Sequence, residues 1–90
     1  DEQARLRDVI RAALPVGADF HRLRTRQAGR RKFLDFHLLV DGATTVRDAH
    51  VLAHHVEGRL RAAVPDVEVT IHVEPVDDRA SWEAAELAQL

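Results

Sequence analysis

FHRLRTRQAGRRKFLDFHLLV, residues 20–40, is the stretch that decides the fold. Two runs of period-two alternation flank a short break at Ala28-Gly29-Arg30, and Gly29 suits the positive φ that a tight hairpin needs. Strands are expected over 20–27 and 32–40. In the second, Leu34, Phe36, Leu38 and Val40 share one face, while Phe33, Asp35, His37 and Leu39 share the other. The first face is the better candidate for the core. If three residues form the loop, Gln27 faces Arg31 and His21 stands opposite His37. A two-residue loop slips that pairing by one residue and still leaves the two rings near each other. Strict alternation puts His21 on the side of apolar Leu23, toward the core.

Upstream, residues 2–14 carry Leu6, Val9, Ile10, Ala13 and Leu14 at helical spacing, with Pro15 as the stop and Gly17 in the loop that follows. Downstream, Asp41-Gly42 ends the strand, and Thr44 or Thr45 caps a helix running to about Ala63. Its buried stripe is expected to be Val46, Ala49, Ala53, Val56 and Leu60. Pro65 and Asp66 close that helix. Val67, Val69, Ile71 and Val73 then alternate with Glu68, Thr70, His72 and Glu74, a half-buried strand ended by Pro75. The order is α-β-β-α-β. A strand–helix–strand unit crosses over so that its two strands run parallel. The expected fold is therefore a two-layer α+β domain with a three-stranded mixed sheet. His37 and His72 fall near the C-terminal ends of parallel strands, and His21 begins the antiparallel one, so all three reach one edge. The domain is expected over 1–78, with 79–90 as a tail. SWEAAELAQL (81–90) has the pattern of a short helix capped by Ser81, and a docking tail and a frayed end are both open readings.

Ninety residues make one domain with a thin core, of the kind that gains stability from a partner subunit or a metal. The formal net charge of −2 argues against a polyanion binder as a whole. The absence of cysteine excludes both disulfides and thiolate metal sites, so any metal must be held by imidazole and carboxylate. The apolar runs are too short to cross a bilayer and no signal-peptide pattern opens the chain, so a soluble piece is expected. Six histidines are the compositional oddity.

Taken singly, each histidine reads as a partly exposed polar residue at a strand end. Three at one edge, with Glu74 two residues from His72 and on its face, favour a divalent metal site. On the second helix, His50 and His54 are four apart and share a flank, which is also a ligand spacing. His50 sits at the border of the buried stripe and His54 further out, while His55 points to the other side. A solvated polar flank is the alternative reading for this group. A zinc-protease helix would need Glu directly after its first histidine, where this chain has Val51. No nucleophile–base pair or catalytic motif is present, and no enzyme activity is expected. Arg22, Arg24, Arg26, Arg30, Arg31 and Lys32 form a basic cluster that suits nucleic-acid phosphates, an anionic membrane surface or an ordinary salt-bridged strand edge. Phe33 is the aromatic best placed for base stacking, and such support is sparse.

His21-Arg22-Leu23-Arg24-Thr25-Arg26-Gln27-Ala28-Gly29 resembles the His-Asp-Leu-Arg-Thr-Arg-Gln-x-Gly hairpin of cation diffusion facilitators, which are zinc-type metal/proton antiporters. Phe36-His37-Leu38, Ala49-His50 and Ile71-His72-Val73-Glu74-Pro75 follow in that family's order and spacing, over most of residues 6–76. The resemblance is to the family's cytoplasmic C-terminal domain, and it implies a metallochaperone-like (ferredoxin-like) fold that forms a homodimer below a covalently continuous transmembrane part. It implies Zn2+ or another divalent transition metal ion as the ligand and the cytoplasmic side of the cell membrane as the location. His21, His37 and His72 match regulatory metal ligands near the dimer interface, and His50 matches a further ligand in some members. Glu74 stands where several members have Asp, and Arg22 where Asp is common. A regulatory, dimer-tightening domain of an efflux transporter is the function implied, with no nucleic acid expected. A nucleic-acid module built on residues 22–32 and a dimerisation domain without a working metal site are the rivals.

Overall fold

A computed structural model of the chain describes residues 1–76. The tail expected over 79–90, with Ser81 as its cap, lies outside the described residues. Helix α1 spans Glu2–Ala13, with strand β1 over Asp19–Ala28, β2 over Arg31–Val40, helix α2 over Val46–Ala63 and β3 over Val67–Pro75. The sheet order is β1-β2-β3, with β1 antiparallel and β3 parallel to the central β2. The expected α-β-β-α-β fold with its mixed three-stranded sheet is therefore found.

Each element has a local cause. The Asp1 carboxylate accepts from the Ala4 backbone N–H at 2.7 Å and caps α1. Leu14 leaves the helix in an extended conformation just before Pro15. At α2 the cap is Thr45, whose hydroxyl accepts from Asp48 N–H at 3.0 Å. The hairpin turns on two residues, because Ala28 pairs directly with Arg31. Gly29 has φ +60 and Arg30 does not share the positive sign, which is the pattern of a type II′ turn.

Both helices cover the same face of the sheet. Leu6 and Ile10 of α1, Val56 and Leu60 of α2, and Leu34, Phe36, Leu38 and Val40 of β2 form one buried cluster. Phe20 joins it, edge-on to Phe36 at a ring separation of 6.0 Å. Val69 and Ile71 of β3 pack against this cluster, but Val73 is 42% exposed. Val46, expected on the buried stripe of α2, is instead 88% exposed. It is the first residue after the cap, where the helix has not yet reached the sheet. At the far end Arg5 donates to the Ala63 carbonyl at 3.2 Å and Lys32 pairs with Glu2. The hydrogen bond from Lys32 holds the Glu2 carboxyl below the usual carboxylate range. This contribution is present above the ordinary Glu range and is lost as pH falls through the lowered value.

Phe36 is fully buried at the centre of the strand that carries the cluster. Phe36→Ala is expected to lower unfolding free energy by about 3–5 kcal/mol, read from the midpoint of urea denaturation at unchanged slope.

Candidate metal centre

The odd-numbered side chains of β2 face away from the helices. His21, His37 and His72 form one row across this face, because His21 pairs in register with His37 and His37 with His72. Glu74 is two residues further along β3, beside Leu39. Leu39 is fully buried although it lies outside the main apolar cluster.

The two-residue loop would by itself have set His21 against Leu38. The pairing with His37 is recovered by a bulge, since the register shifts between His21 and Arg24. Arg22 and Leu23 together oppose the single residue Phe36, and Arg22 takes up the extra step at φ +58. This bulge also reverses the parity of the strand. Phe20 and Leu23, three apart, both reach the core, and His21 turns to the face of His37. The expectation that His21 points with Leu23 is thereby corrected. The signal was present in the sequence as two apolar residues at a spacing no regular strand allows.

The ligand atoms of His21, His37 and Glu74 all lie within 4.8 Å of one another, and no other such trio occurs among the described residues. His37 Nδ1 donates to Glu74 Oε1 at 2.5 Å, and His21 Nε2 is 3.6 Å from Glu74 Oε2. The side chains of His21, His37 and Glu74 are 12%, 18% and 21% exposed, shielded yet reachable. The His21 and His37 rings are 5.2 Å apart at 75°. Two imidazoles sharing a tetrahedral zinc have centroids about 5 Å apart and donor atoms about 3.4 Å apart. Two imidazoles with a carboxylate between them therefore fit such an ion with modest closure.

His72 is adjacent but differently disposed. Its ring stacks on His37 at 5.0 Å and 21°, and the residue is exposed. It stands beside the trio rather than within it. His50 is on α2, in the layer across the sheet, and is exposed rather than at the border of the buried stripe. It pairs with His54 at a ring separation of 4.4 Å.

The basic cluster is largely engaged. Arg24 binds Asp35 at 3.1 Å, Arg31 binds Glu68 at 2.9 Å and Lys32 binds Glu2. The Arg26 guanidinium sits 4.2 Å from the Phe33 ring centroid, on the face a base would need. These pairings favour the salt-bridged strand edge over a phosphate-binding stripe.

Residues 1–76 match the family described as cation efflux protein, cytoplasmic domain. This chain belongs to that family. It is 39% identical over 83 residues to an uncharacterized transporter of Synechocystis sp., covering 89% of this chain and 27% of that protein. It is 42% identical over 77 residues to the cation-efflux pump FieF of Shewanella oneidensis, covering 84% of this chain and 26% of the pump. The chain thus spans roughly a quarter of the length of these curated relatives. Among solved structures, it is similar to the zinc form of CzrB, with a TM-score of 0.78 and 44% identity over 82% of this chain and 84% of that one. The metal-bound C-terminal domain of the CzcD transporter from Thermotoga maritima gives a TM-score of 0.69 and 34% identity, covering 83% of this chain and 92% of that one. No described helix of this cation-efflux cytoplasmic domain is long and apolar enough to cross a membrane.

The bulge has a measurable cost. Left-handed backbone at a non-glycine residue costs about 1–2 kcal/mol, and a β-branched side chain tolerates it least. Arg22→Val is expected to destabilise the domain beyond the cost Arg22 already carries, lowering the urea midpoint, whereas Arg22→Gly leaves that midpoint little changed.

Proposed function

We propose that this chain is the cytosolic, metal-responsive and dimerising part of a divalent-cation efflux transporter. A zinc-class ion held by His21, His37, His72 and Glu74 favours a tighter homodimer and so modulates transport by a membrane-spanning part continuous with it. The observation that carries this reading is the Glu74 carboxylate set between two imidazoles on the sheet face the helices leave open. The similarity to structures described as a zinc form and as metal-bound supports it. So does the donor set, since imidazole and carboxylate suit zinc and its first-row neighbours.

The role is one of binding rather than catalysis. Each chain carries a formal charge of −2, which one divalent ion per chain would neutralise. The ion shifts the dimer only by binding its tight state better than its open one, and a swing from 1:99 to 99:1 needs about 5.5 kcal/mol of such preference. His72, exposed beside the trio, completes the coordination by turning its ring off His37.

Removal of an outer-shell partner of a metal ligand typically weakens binding by about 10–100-fold. His37→Ala removes a ligand itself and is expected to exceed that loss in zinc calorimetry. Unchanged affinity in the double variant His37→Ala with His72→Ala overturns the site. Because imidazole must be neutral to ligate, zinc affinity is expected to fall on acidification. Small-angle scattering should give a more compact dimer with zinc than without. Identical curves overturn the regulatory part and leave the binding site standing.

A further inference from the structure

Leu39 is fully buried, yet it points away from the face on which both described helices pack. The apolar cluster sets α1 and α2 against Leu34, Phe36, Leu38 and Val40, whereas Leu39 shares the side of His37. Its register neighbours are Asp19 on β1 and Glu74 on β3, both acidic. A leucine removed from water between two carboxylate residues calls for an apolar cover. The rings beside it are shielded too, with the His21 and His37 side chains 12% and 18% exposed. We propose that the cover is the C-terminal segment of the same chain, residues 77–90, folded back over Leu39 and the imidazoles with Trp82 as its anchor.

Residues 77–90 lie outside the described residues, but their starting point and reach are set by β3. That strand ends at Pro75, level with Val40, so the chain leaves the sheet at the end where Leu39 and the trio stand. The stretch from Val76 to Trp82 spans at most about 20 Å when extended. Across the middle strand, β1 lies about 10 Å from β3. The whole width of the face is therefore within reach. Residues 81–90 supply the apolar surface, with Trp82, Leu87 and Leu90 among them and Ala84, Ala85 and Ala88 between. An indole buries a large area and packs favourably against other rings. The linker is acidic, with Asp77 and Asp78 against Arg79, and β1 at the far side of the face carries Arg22, Arg24 and Arg26. A second copy is the rival occupant. A segment joined directly to β3 has an effective concentration on the order of millimolar, which a separate chain must match in bulk. Docked in this way, the tail closes the second side of the sheet and roofs the trio. It does so in the ion-free chain, so the docking does not depend on the metal reading.

The chain has one tryptophan and no tyrosine, so intrinsic emission reports on Trp82 alone. With a chelator present, the whole 90-residue chain is expected to emit to the blue of a free peptide of residues 77–90, and acrylamide quenching is expected to be several-fold weaker. Emission and quenching equal to those of the peptide overturn the docking. The absence of cysteine allows single labels at two exposed positions, Thr70→Cys on the side of His72 and Val51→Cys on α2. Energy transfer from Trp82 is expected to be stronger to an acceptor at the first position than at the second. Equal transfer, or stronger transfer to the label on α2, places the tail elsewhere and overturns the proposal. Diluting the labelled chain into an excess of unlabelled Trp82→Phe chain is expected to leave the transfer unchanged. Its loss on dilution assigns the cover to a second copy and overturns docking within one chain. Truncation after Asp78 is expected to lower the urea midpoint read by circular dichroism, and an unchanged midpoint also overturns it.

Discussion

Strand β2 is hydrogen-bonded along both edges and packed against the two described helices on one face only, and its alternating side chains turn that asymmetry into a division of tasks. Leu34, Phe36, Leu38 and Val40 are drawn under the two helices, and burial of apolar side chains at about 1.5–3 kcal/mol each fixes the choice of face. His37 is then committed to the open side. A slip of one residue would expose four core side chains and bury Asp35 and His37, so the register of the whole sheet is pinned by hydrophobic burial. The candidate ligands His21 on β1 and Glu74 on β3 are positioned only relative to this strand.

The bulge at Arg22-Leu23 shows how the same force overrides local preference. A regular β1 would have to leave either Phe20 or Leu23 on the open face. Inserting one extra residue lets both reach the core, at the cost of one non-glycine residue in left-handed conformation. That cost, about 1–2 kcal/mol, is smaller than the burial of a large apolar side chain, about 1.5–3 kcal/mol. The consequence for the site is geometric. The two-residue turn slips the hairpin by one position, the bulge slips it back, and His21 arrives opposite His37 with its ring on the ligand face.

Much of this was legible in the sequence. Period-two alternation with a glycine between two runs defined the hairpin, the core face of β2 followed from its four apolar residues, and the parallel β3 followed from the crossover rule. The pairing of His21 with His37 was foreseen on the premise of a three-residue loop, whereas the structure reaches it by a two-residue loop and a bulge. Direction was harder than position. The facing of His21 depended on a backbone irregularity that alternation alone does not encode, although the Phe20–Leu23 spacing hinted at it. The exposure of Val46 and the placement of His50 depended on where the first turns of α2 stand against the sheet, which a helical wheel does not contain. The stacking of His72 on His37, rather than into the trio, is a matter of rotamer and lies below the resolution of any pattern.

The fixed register of the three strands bears on how an ion at this face would act. β1, β2 and β3 are locked in register by their hydrogen-bond ladders, and the donors of His21, His37 and Glu74 already stand close together. An ion entering there has little of the single chain to rearrange, beyond turning His72 and closing the trio slightly. Regulation by population shift requires that the ion distinguish two states by free energy, and the hydrogen-bonded register of β1, β2 and β3 leaves the ion little to choose between within the described sheet. The proposed preference for a tight over an open assembly must therefore arise between copies, from charge cancelled and donors shared across them. The exposed residue His72 is where such a contact would meet the ion directly.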